Sequence, residues 1–234
     1  MGSIPEDIDL HNVDFESLYE GGPMLEGVDP AAVPWDIGGA QPVVIEAERA
    51  GRLRGAVLDV GCGLGDNAIY LARHGHQVTG IDNASAAIEQ AQQRARQHGV
   101  DVTFAVADAT SLAGLDGQFD SVLDGACYHT LDEDARDDYA AAVHRATRPD
   151  ALLTLFCFPP GGRGPVAAMG VPEENLRATW SKAGWEITDL QLTRYHANGA
   201  VRDLATQLGF DWEPDPDDDS RITIPIWAMQ ARRA

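Results

Sequence analysis

The chain has 234 residues and a formal net charge of −20 at pH 7. This length suits one domain with a sizeable core, and we expect a single domain over residues 1–234. The negative charge would repel phosphate backbones and anionic lipid surfaces, which excludes nucleic acids and membranes as partners. No run reaches the roughly 20 apolar residues of a membrane helix. Because residues 2–20 also lack a secretory signal pattern, we expect a cytoplasmic protein.

The three cysteines, Cys62, Cys127 and Cys157, are few and widely separated. Their number is odd and no C-x-x-C pair occurs, so neither a disulfide framework nor a structural zinc site is expected. We predict reduced thiols and no metal.

Short apolar runs alternate with longer helical patterns from about residue 56, and this alternation predicts parallel βαβ units and an α/β fold. Ser85 is expected to cap the second helix, and Gly99 to end it. Strands are predicted at 56–59, 78–82, 102–106 and 119–123, with helices at 66–73 and 85–98.

The second half of the chain continues this pattern. Thr130 and Glu133 form a capping-box pattern that would open a helix running to about residue 146. The very apolar run 151–158 predicts a central parallel strand with both faces covered. Pro225 is expected to place the last strand at a sheet edge or on a bulge. Further predictions are a helix at 173–183, strands at 186–195 and 222–230, a flexible connection at 159–172 and a solvated acidic turn at 211–219.

The most informative segment is 57–82, in which a strand leads into Gly61, Gly63 and Gly65, a helix follows, and Asp82 ends the next strand. Glycines allow a ligand to approach the backbone, and an acid at the second strand can accept from both ribose hydroxyls. The pattern therefore predicts a nucleoside-containing cofactor. Asp66 occupies the place of the last glycine in a dinucleotide fingerprint, where it would repel a pyrophosphate. An NAD-dependent oxidoreductase is kept as the alternative.

Asp59, Gly61, Gly63 and Gly65 match D-x-G-x-G-x-G, and the chain resembles class I S-adenosylmethionine-dependent methyltransferases over most of its length. The resemblance implies an enzyme with a doubly wound, seven-stranded, mostly parallel sheet and an antiparallel last strand. S-adenosylmethionine would be the cofactor and S-adenosylhomocysteine its product. Residues 55–160 would form the cofactor-binding half, and 161–234 the substrate-side loops and last strands.

The resemblance also implies site residues. Asp82 would bind the ribose, Asp108 and Ala109 would bracket the adenine, and the motif at 119–129 would face the methyl group. Cys62 would contribute through its backbone. The expected cofactor-binding residues are Trp35, Asp59, Gly61, Cys62, Gly63, Asp82, Asn83, Asp108, Ala109, Asp124 and Gly125.

The expected acceptor is a small molecule. Residues 124–127 lack the [N/D/S]-P-P-[Y/F/W] sequence of amino methyltransferases that act on adenine or cytosine. The segment 34–42 resembles the Trp-containing segment of thiopurine-methyltransferase-like and heterocyclic toxin methyltransferases, which implies an aromatic heterocycle with a nucleophilic S, O or N. Residues 1–45 would form a lid or substrate segment. Trp35 would then close over the cofactor, or else pack beneath this segment without contacting a ligand.

His129 is the candidate general base, since it follows the fourth strand on the cofactor side. The positive end of the helix capped by Thr130 would disfavour imidazolium and leave a neutral ring. Asp124, Tyr128 or His11 would orient this ring or the substrate. Two alternatives stay open: His129 as a packing residue, and the whole chain as a non-catalytic S-adenosylmethionine-binding protein.

Overall fold

An eight-stranded sheet forms the centre of the protein, which a computed structural model describes for residues 10–26, 28, 30 and 32–234. The strands are β1 (Ala56–Val60), β2 (Gln77–Asp82), β3 (Thr103–Val106), β4 (Phe119–Gly125), β5 (Thr147–Cys157), β6 (Trp185–Asn198), β7 (Glu213–Pro214) and β8 (Arg221–Arg233). Their order is β3-β2-β1-β4-β5-β8-β6, with β7 paired to β8. Strands β1 to β5 are parallel, and β8 runs antiparallel to both β5 and β6. The α/β fold with an antiparallel last strand is confirmed, and the short β7 is an addition.

Apolar side chains cover both faces of the sheet. On β5, Leu153 and Leu155 pack in one core cluster and Phe156 packs in the other, which confirms the prediction of a doubly covered strand. This alternation follows from the two-residue period of a strand. The helices are α1 (Phe15–Tyr19), α2 (Pro42–Arg49), α3 (Asp66–Arg73), α4 (Ser85–His98), α5 (Glu133–Ala146), α6 (Glu173–Lys182) and α7 (Arg202–Leu208).

Two predicted helix caps were wrong. Ala84 is the N-cap of α4, while the Ser85 hydroxyl donates to Glu16 Oε1 on α1. Asp132, and not Thr130, caps α5, because its Oδ1 accepts from the Ala135 amide at 2.8 Å. The Thr130 hydroxyl instead donates to the carbonyl of Cys127. Both hydroxyls satisfy groups closer in space than the helix ends that follow them. Gly99 does end α4, with φ +65°.

Pro225 does not place β8 at an edge, because β8 lies between β5 and β6. The proline pairs with Arg194 of β6 in an unbroken register. Pairing with β5 begins only at Trp227, and pairing with β7 ends at Thr223. Pro225 therefore occupies a short stretch where β8 has a partner strand on one side only, and there a missing N–H breaks no ladder.

The acidic segment 211–219 is not wholly a solvated turn. Asp215 is only 5% exposed, and its carboxylate lies 3.1 Å from His196 Nε2 on β6. The pair fastens the segment to the sheet. In the described ranges, no helix has the length and apolar character needed to span a membrane. The same ranges contain no cluster of metal-binding side chains.

Candidate active site

A cavity of about 370 Å³ lies at the carboxyl ends of the parallel strands, where open α/β sheets bind ligands. What we call the polar end is formed by residues that follow β1, β2 and β3: Gly61, Gly63, Asp82, Asn83, Asp108 and Ala109. What we call the apolar end is formed by side chains that pack together from distant parts of the sequence: Leu10, Met24, Met169, Val201, Leu204 and Leu208.

The turn after β1 requires glycine at two positions for different reasons. Both Gly61 and Gly63 have positive φ, +64° and +52°. A Cβ on Gly61 would lie 2.8 Å from the Cβ of Cys127, so the turn packs directly on the residues after β4. A Cβ on Gly63 would lie 2.7 Å from the hydroxyl of Tyr19 at the cavity wall. Glycine at position 63 therefore lets Tyr19 and Trp35 pack directly on the turn.

Asp82 holds the end of β2 against this turn. Its Oδ2 accepts from the Gly63 amide at 2.9 Å, and its Oδ1 accepts from the Ala84 amide at 3.0 Å. Burial raises the pKa of Asp82, and these amides act in the opposite direction. Each carboxylate oxygen has a second acceptor direction, so the group can still accept from ligand hydroxyls.

Asn83, Asp108, Ala109 and Cys62 also line the polar end, as the sequence predicted. The Asp108 carboxylate accepts from the amide and hydroxyl of Thr110, which fixes the turn after β3. The Cys62 amide donates to the Ile81 carbonyl at 2.9 Å, which joins the turn after β1 to β2. Burial raises the pKa of the Cys62 thiol.

Asp59 and Asp124 were expected among the cofactor contacts, but neither lines the cavity. Asp59 is 1% exposed, and burial next to Asp124 and Asp82 raises its pKa to about 8. Asp124 is fully buried and accepts from the amides of Cys127 and Tyr128 and from the hydroxyl of Tyr139. These two carboxylates shape the walls of the site from behind.

Tyr128 was expected to orient the substrate, but its side chain is fully buried behind the cavity wall. Its hydroxyl donates to Asn175 Oδ1 at 3.0 Å. Gly125, Ala126, Cys127 and His129 line the cavity from the same turn. The His11 side chain lies outside the described part of the chain.

His129 faces the junction between the two ends of the cavity. It is 4% exposed, and its ring lies 4.0 Å from that of Phe158, which packs against the apolar end. His129 belongs to a 3₁₀ turn, Tyr128–Thr130, and α5 begins only at Glu133. The prediction that a helix N-terminus beside His129 disfavours the imidazolium form is therefore wrong. The amides after β4 donate to Asp124 instead.

Trp35 lies at the turn after β1, with its Nε1 donating to the Tyr19 hydroxyl at 2.9 Å. Phe15 packs on the same indole at 5.9 Å between ring centroids. Sequence reasoning missed Tyr19, because only the folded N-terminal segment brings it onto Gly63. Burial, and to a lesser extent Asp82, raises the pKa of its hydroxyl.

The N-terminal segment, residues 10–41, is fastened to α4 by polar contacts. Arg94 binds Asp36 at 2.7 Å and Asp66 at 2.6 Å, and so joins the segment to the first residue of α3. The Glu16 carboxylate accepts from the Ala86 amide. Asp66, the residue that departs from a dinucleotide fingerprint, thus serves as an anchor for the segment that carries Trp35.

His196 also borders the cavity. Its neighbours Tyr195 and Ala197 also line the cavity and pack in apolar clusters, and side chains alternate along a strand. The imidazole therefore faces the other side of β6, where it meets Asp215. This histidine–carboxylate pair is a structural tie, and His129 is the histidine whose side chain stands at the cavity.

Residues 57–150 match a family model described as a methyltransferase domain. The chain is 34% identical over 228 residues to the 2-heptyl-1-hydroxyquinolin-4(1H)-one methyltransferase of Mycobacteroides abscessus, covering 94% of this chain and 96% of that protein. A solved structure from work on the conversion of a disulfide bond into a thioacetal group during echinomycin biosynthesis is 28% identical, with a TM-score of 0.77 and coverage of 94% and 90%. The 1,6-didemethyltoxoflavin-N1-methyltransferase of Burkholderia thailandensis, with bound S-adenosylhomocysteine, is 25% identical, with a TM-score of 0.57 and coverage of 81% and 75%.

Proposed function

Because the chain belongs to the class I S-adenosylmethionine-dependent methyltransferases that act on small molecules, we propose that it methylates a hydroxyl oxygen of an apolar aromatic heterocycle. The observation that carries this proposal is the cavity itself. One end is lined by the glycine turn after β1 and by the Asp82 carboxylate, the other end is lined by apolar side chains, and His129 stands between them. The dehydrogenase alternative is set aside by the same family membership.

The polar end fits S-adenosylmethionine. Gly61 and Gly63 line the cavity at the turn after β1, and Asp82 keeps acceptor capacity at the end of β2. In our proposal Asp82 binds the ribose hydroxyls, Asp108 and Ala109 flank the adenine, and Trp35 covers the cofactor. When bound, S-adenosylmethionine supplies an electrophilic methyl group, whose bond to sulfur breaks as the acceptor oxygen bonds to the carbon.

The apolar end selects the acceptor by burial. Leu204, Leu208 and Met169 present no group that could pair with a charge, so a charged substituent there would lose its hydration without compensation. Each buried methylene of a ligand contributes about 0.8 kcal/mol. The Mycobacteroides abscessus relative is named for an acceptor that combines a hydroxylated quinolone with a heptyl chain. An acceptor of that kind, with its ring near His129 and its chain among the leucines, suits this cavity.

His129 would take the proton that the acceptor hydroxyl releases. The ring is buried against Phe158, which fixes its position and keeps water away from the reacting groups. The ring must be neutral to accept this proton. The formal charge of −20 further supports an uncharged small acceptor over a nucleic acid.

The direct test is incubation with radiolabelled S-adenosylmethionine and a matched acceptor panel. The panel contains 1-hydroxyquinolin-4-ones with 2-alkyl chains of increasing length, together with phenols, thiols and ring-nitrogen heterocycles. We expect transfer to the hydroxylated quinolones, with kcat/KM rising as the chain lengthens. Transfer only to thiols or ring nitrogens, or no dependence on chain length, would contradict the proposal.

His129→Ala tests the base. We expect kcat to fall by roughly 10²- to 10⁴-fold with an acceptor of high pKa, while affinity for S-adenosylmethionine stays nearly unchanged. With an acceptor that is already ionised at neutral pH the loss should be small. A small loss of equal size for both acceptors would show that His129 shapes the cavity and does not act as a base.

A further inference from the structure

The turn after β4 is folded around one buried carboxylate. Asp124 Oδ1 accepts from the Cys127 amide at 2.7 Å, and Oδ2 accepts from the Tyr128 amide at 3.1 Å. The Tyr139 hydroxyl on α5 donates to Oδ2 at 2.7 Å. Both side chains are fully buried, so no water replaces a bond that is lost.

This turn contains a strained residue at the cavity wall. Ala126 has φ +86°, in the left-handed region that favours glycine, and such a conformation persists only where its surroundings hold it. The turn also packs tightly, since a Cβ on Gly61 would lie 2.8 Å from Cys127. Ala126, Cys127 and His129 all line the cavity, so the bonds to Asp124 decide where that wall stands.

We propose that Tyr139 is a positioning residue whose hydroxyl, acting through Asp124, fixes turn 125–129 and with it the place of His129. Tyr139 touches neither the cavity nor a ligand and acts only through the carboxylate. This inference rests on the proposed function for its kinetic test, because it concerns the residue assigned there as the base.

The electrostatic surroundings make this contact sensitive to pH. Burial raises the pKa of Asp124 to about 6, and the Tyr139 hydrogen bond is the first of the contacts that lower it. Loss of that bond therefore moves the pKa upward, toward neutrality. A protonated Asp124 accepts the turn amides more weakly, and the turn loosens. The titratable and charged groups that face Asp124 are Asp59 on β1, Cys127 and Tyr128 on its own turn, Tyr139 on α5, Cys157 on β5 and Tyr195 on β6. Asp82 on β2 faces Asp59 and Cys127, and Arg136 of α5 faces Tyr128 and Cys157.

The experiment compares the pH profiles of kcat for the wild type and Tyr139→Phe. We expect the acid limb to move upward by about one pH unit, so that the variant loses about fivefold at pH 6 and little at pH 9. Thr154→Val is the control, since it removes another fully buried hydroxyl, one that binds Gln230 on β8 instead of Asp124, and its limb should not move. A limb that stays in place in Tyr139→Phe, or a loss of equal size at every pH, overturns the proposal.

Two further measurements keep the test decisive. Replacement of Tyr139 by 3,5-difluorotyrosine keeps the shape and strengthens the donor, so the limb should move to lower pH even if Tyr139→Phe does not fold. The Asp124 carboxyl can also be titrated by ¹³C NMR without any acceptor. If the wild type methylates nothing, the proposed function fails, whereas an unchanged Asp124 titration in the Tyr139 variants refutes the role of Tyr139 itself.

Discussion

The two ends of the cavity are held together by different kinds of interaction. At the polar end, backbone amides and carboxylates from adjacent strands bind one another, as Asp82 binds Gly63 and Ala84. At the apolar end, side chains from the N-terminal segment and from α7 meet, and they are held by packing alone. Backbone geometry tolerates few substitutions, whereas packed side chains can be exchanged for others of similar volume. We therefore expect the polar end to be nearly invariant in shape and the apolar end to set the choice of acceptor.

Gly63→Val should produce the largest effect and would break the polar end. The branched side chain would enter the space beside the turn and oppose φ +52°. We expect affinity for S-adenosylmethionine, measured by calorimetry, to fall by more than about 100-fold. Gly51→Val is the control, because Gly51 also has positive φ but has open space around it. An equal loss in both variants would trace the effect to backbone strain alone.

Asp82→Ala should come next. It removes the proposed ribose acceptor and releases the Gly63 and Ala84 amides. Because each hydrogen bond to a charged group contributes about 1.5 to 3 kcal/mol, affinity for the cofactor should fall at least tenfold. Asp101→Ala, which removes an exposed carboxylate after α4, should leave affinity as it is. An unchanged dissociation constant in folded Asp82→Ala would show that another group binds the ribose.

Arg94→Gln should sharpen the comparison, since it detaches the N-terminal segment and leaves the turn after β1 intact. Both ion pairs of Arg94 are partly buried. Burial lowers the pKa of the guanidinium, but the hydrogen bonds and charges of Asp36 and Asp66 together raise it. We expect kcat/KM for the acceptor to fall about fivefold, or about 1 kcal/mol, with a smaller change in cofactor affinity. Arg96→Gln, at an exposed position on the same helix, should change neither quantity. A larger effect on the cofactor than on the acceptor would contradict the division between the two ends.

Asp59→Asn should have the smallest effect of the four variants, and the quantity that changes is the thermal stability of the protein. The folded protein raises the pKa of Asp59 from its usual 3.8 to about 8, so folding holds a proton that the unfolded chain releases. This penalty grows as pH rises from about 4 to about 8 and is absent in acid. Asn removes it, and we expect the unfolding midpoint to rise by about 4 °C at pH 8.5 and by less at pH 5. The exposed Asp116→Asn should show no such trend, and destabilisation at pH 8.5 would show that Asp59 is needed ionised.

The polar end was largely predictable from the sequence. Gly63 and Asp82 belong to one βαβ unit, so their spacing along the chain already places them together. The contacts of the N-terminal segment were not predictable, because Tyr19 reaches Gly63 only after that segment has folded across α4. Arg94 likewise has no local pattern that pairs it with Asp36 and Asp66. These two carboxylates lie 58 and 28 residues from Arg94 along the chain, and local residue propensity carries no information at that distance.

The wrong predictions share a cause with the missed residues. Ser85 and Thr130 are good caps by type, yet tertiary contacts gave them other partners, Glu16 and the Cys127 carbonyl. Asp124 was predicted as a contact because the end of β4 faces the cavity. Its amide-rich turn instead takes both carboxylate oxygens.

The cap of α4 has a consequence for how such enzymes diversify. The N-cap residue Ala84 offers no side-chain acceptor, and Glu16 of α1 supplies the carboxylate that receives the Ala86 amide. The helix that follows Asp82 and Asn83 thus depends for its first turn on a segment that also lines the apolar end of the cavity. Exchanging this segment for that of another methyltransferase, in order to change the acceptor, would leave α4 uncapped unless the donor brings an acid to the same place. A change made at the apolar end through this segment would therefore also alter the stability of the helix beside the polar end.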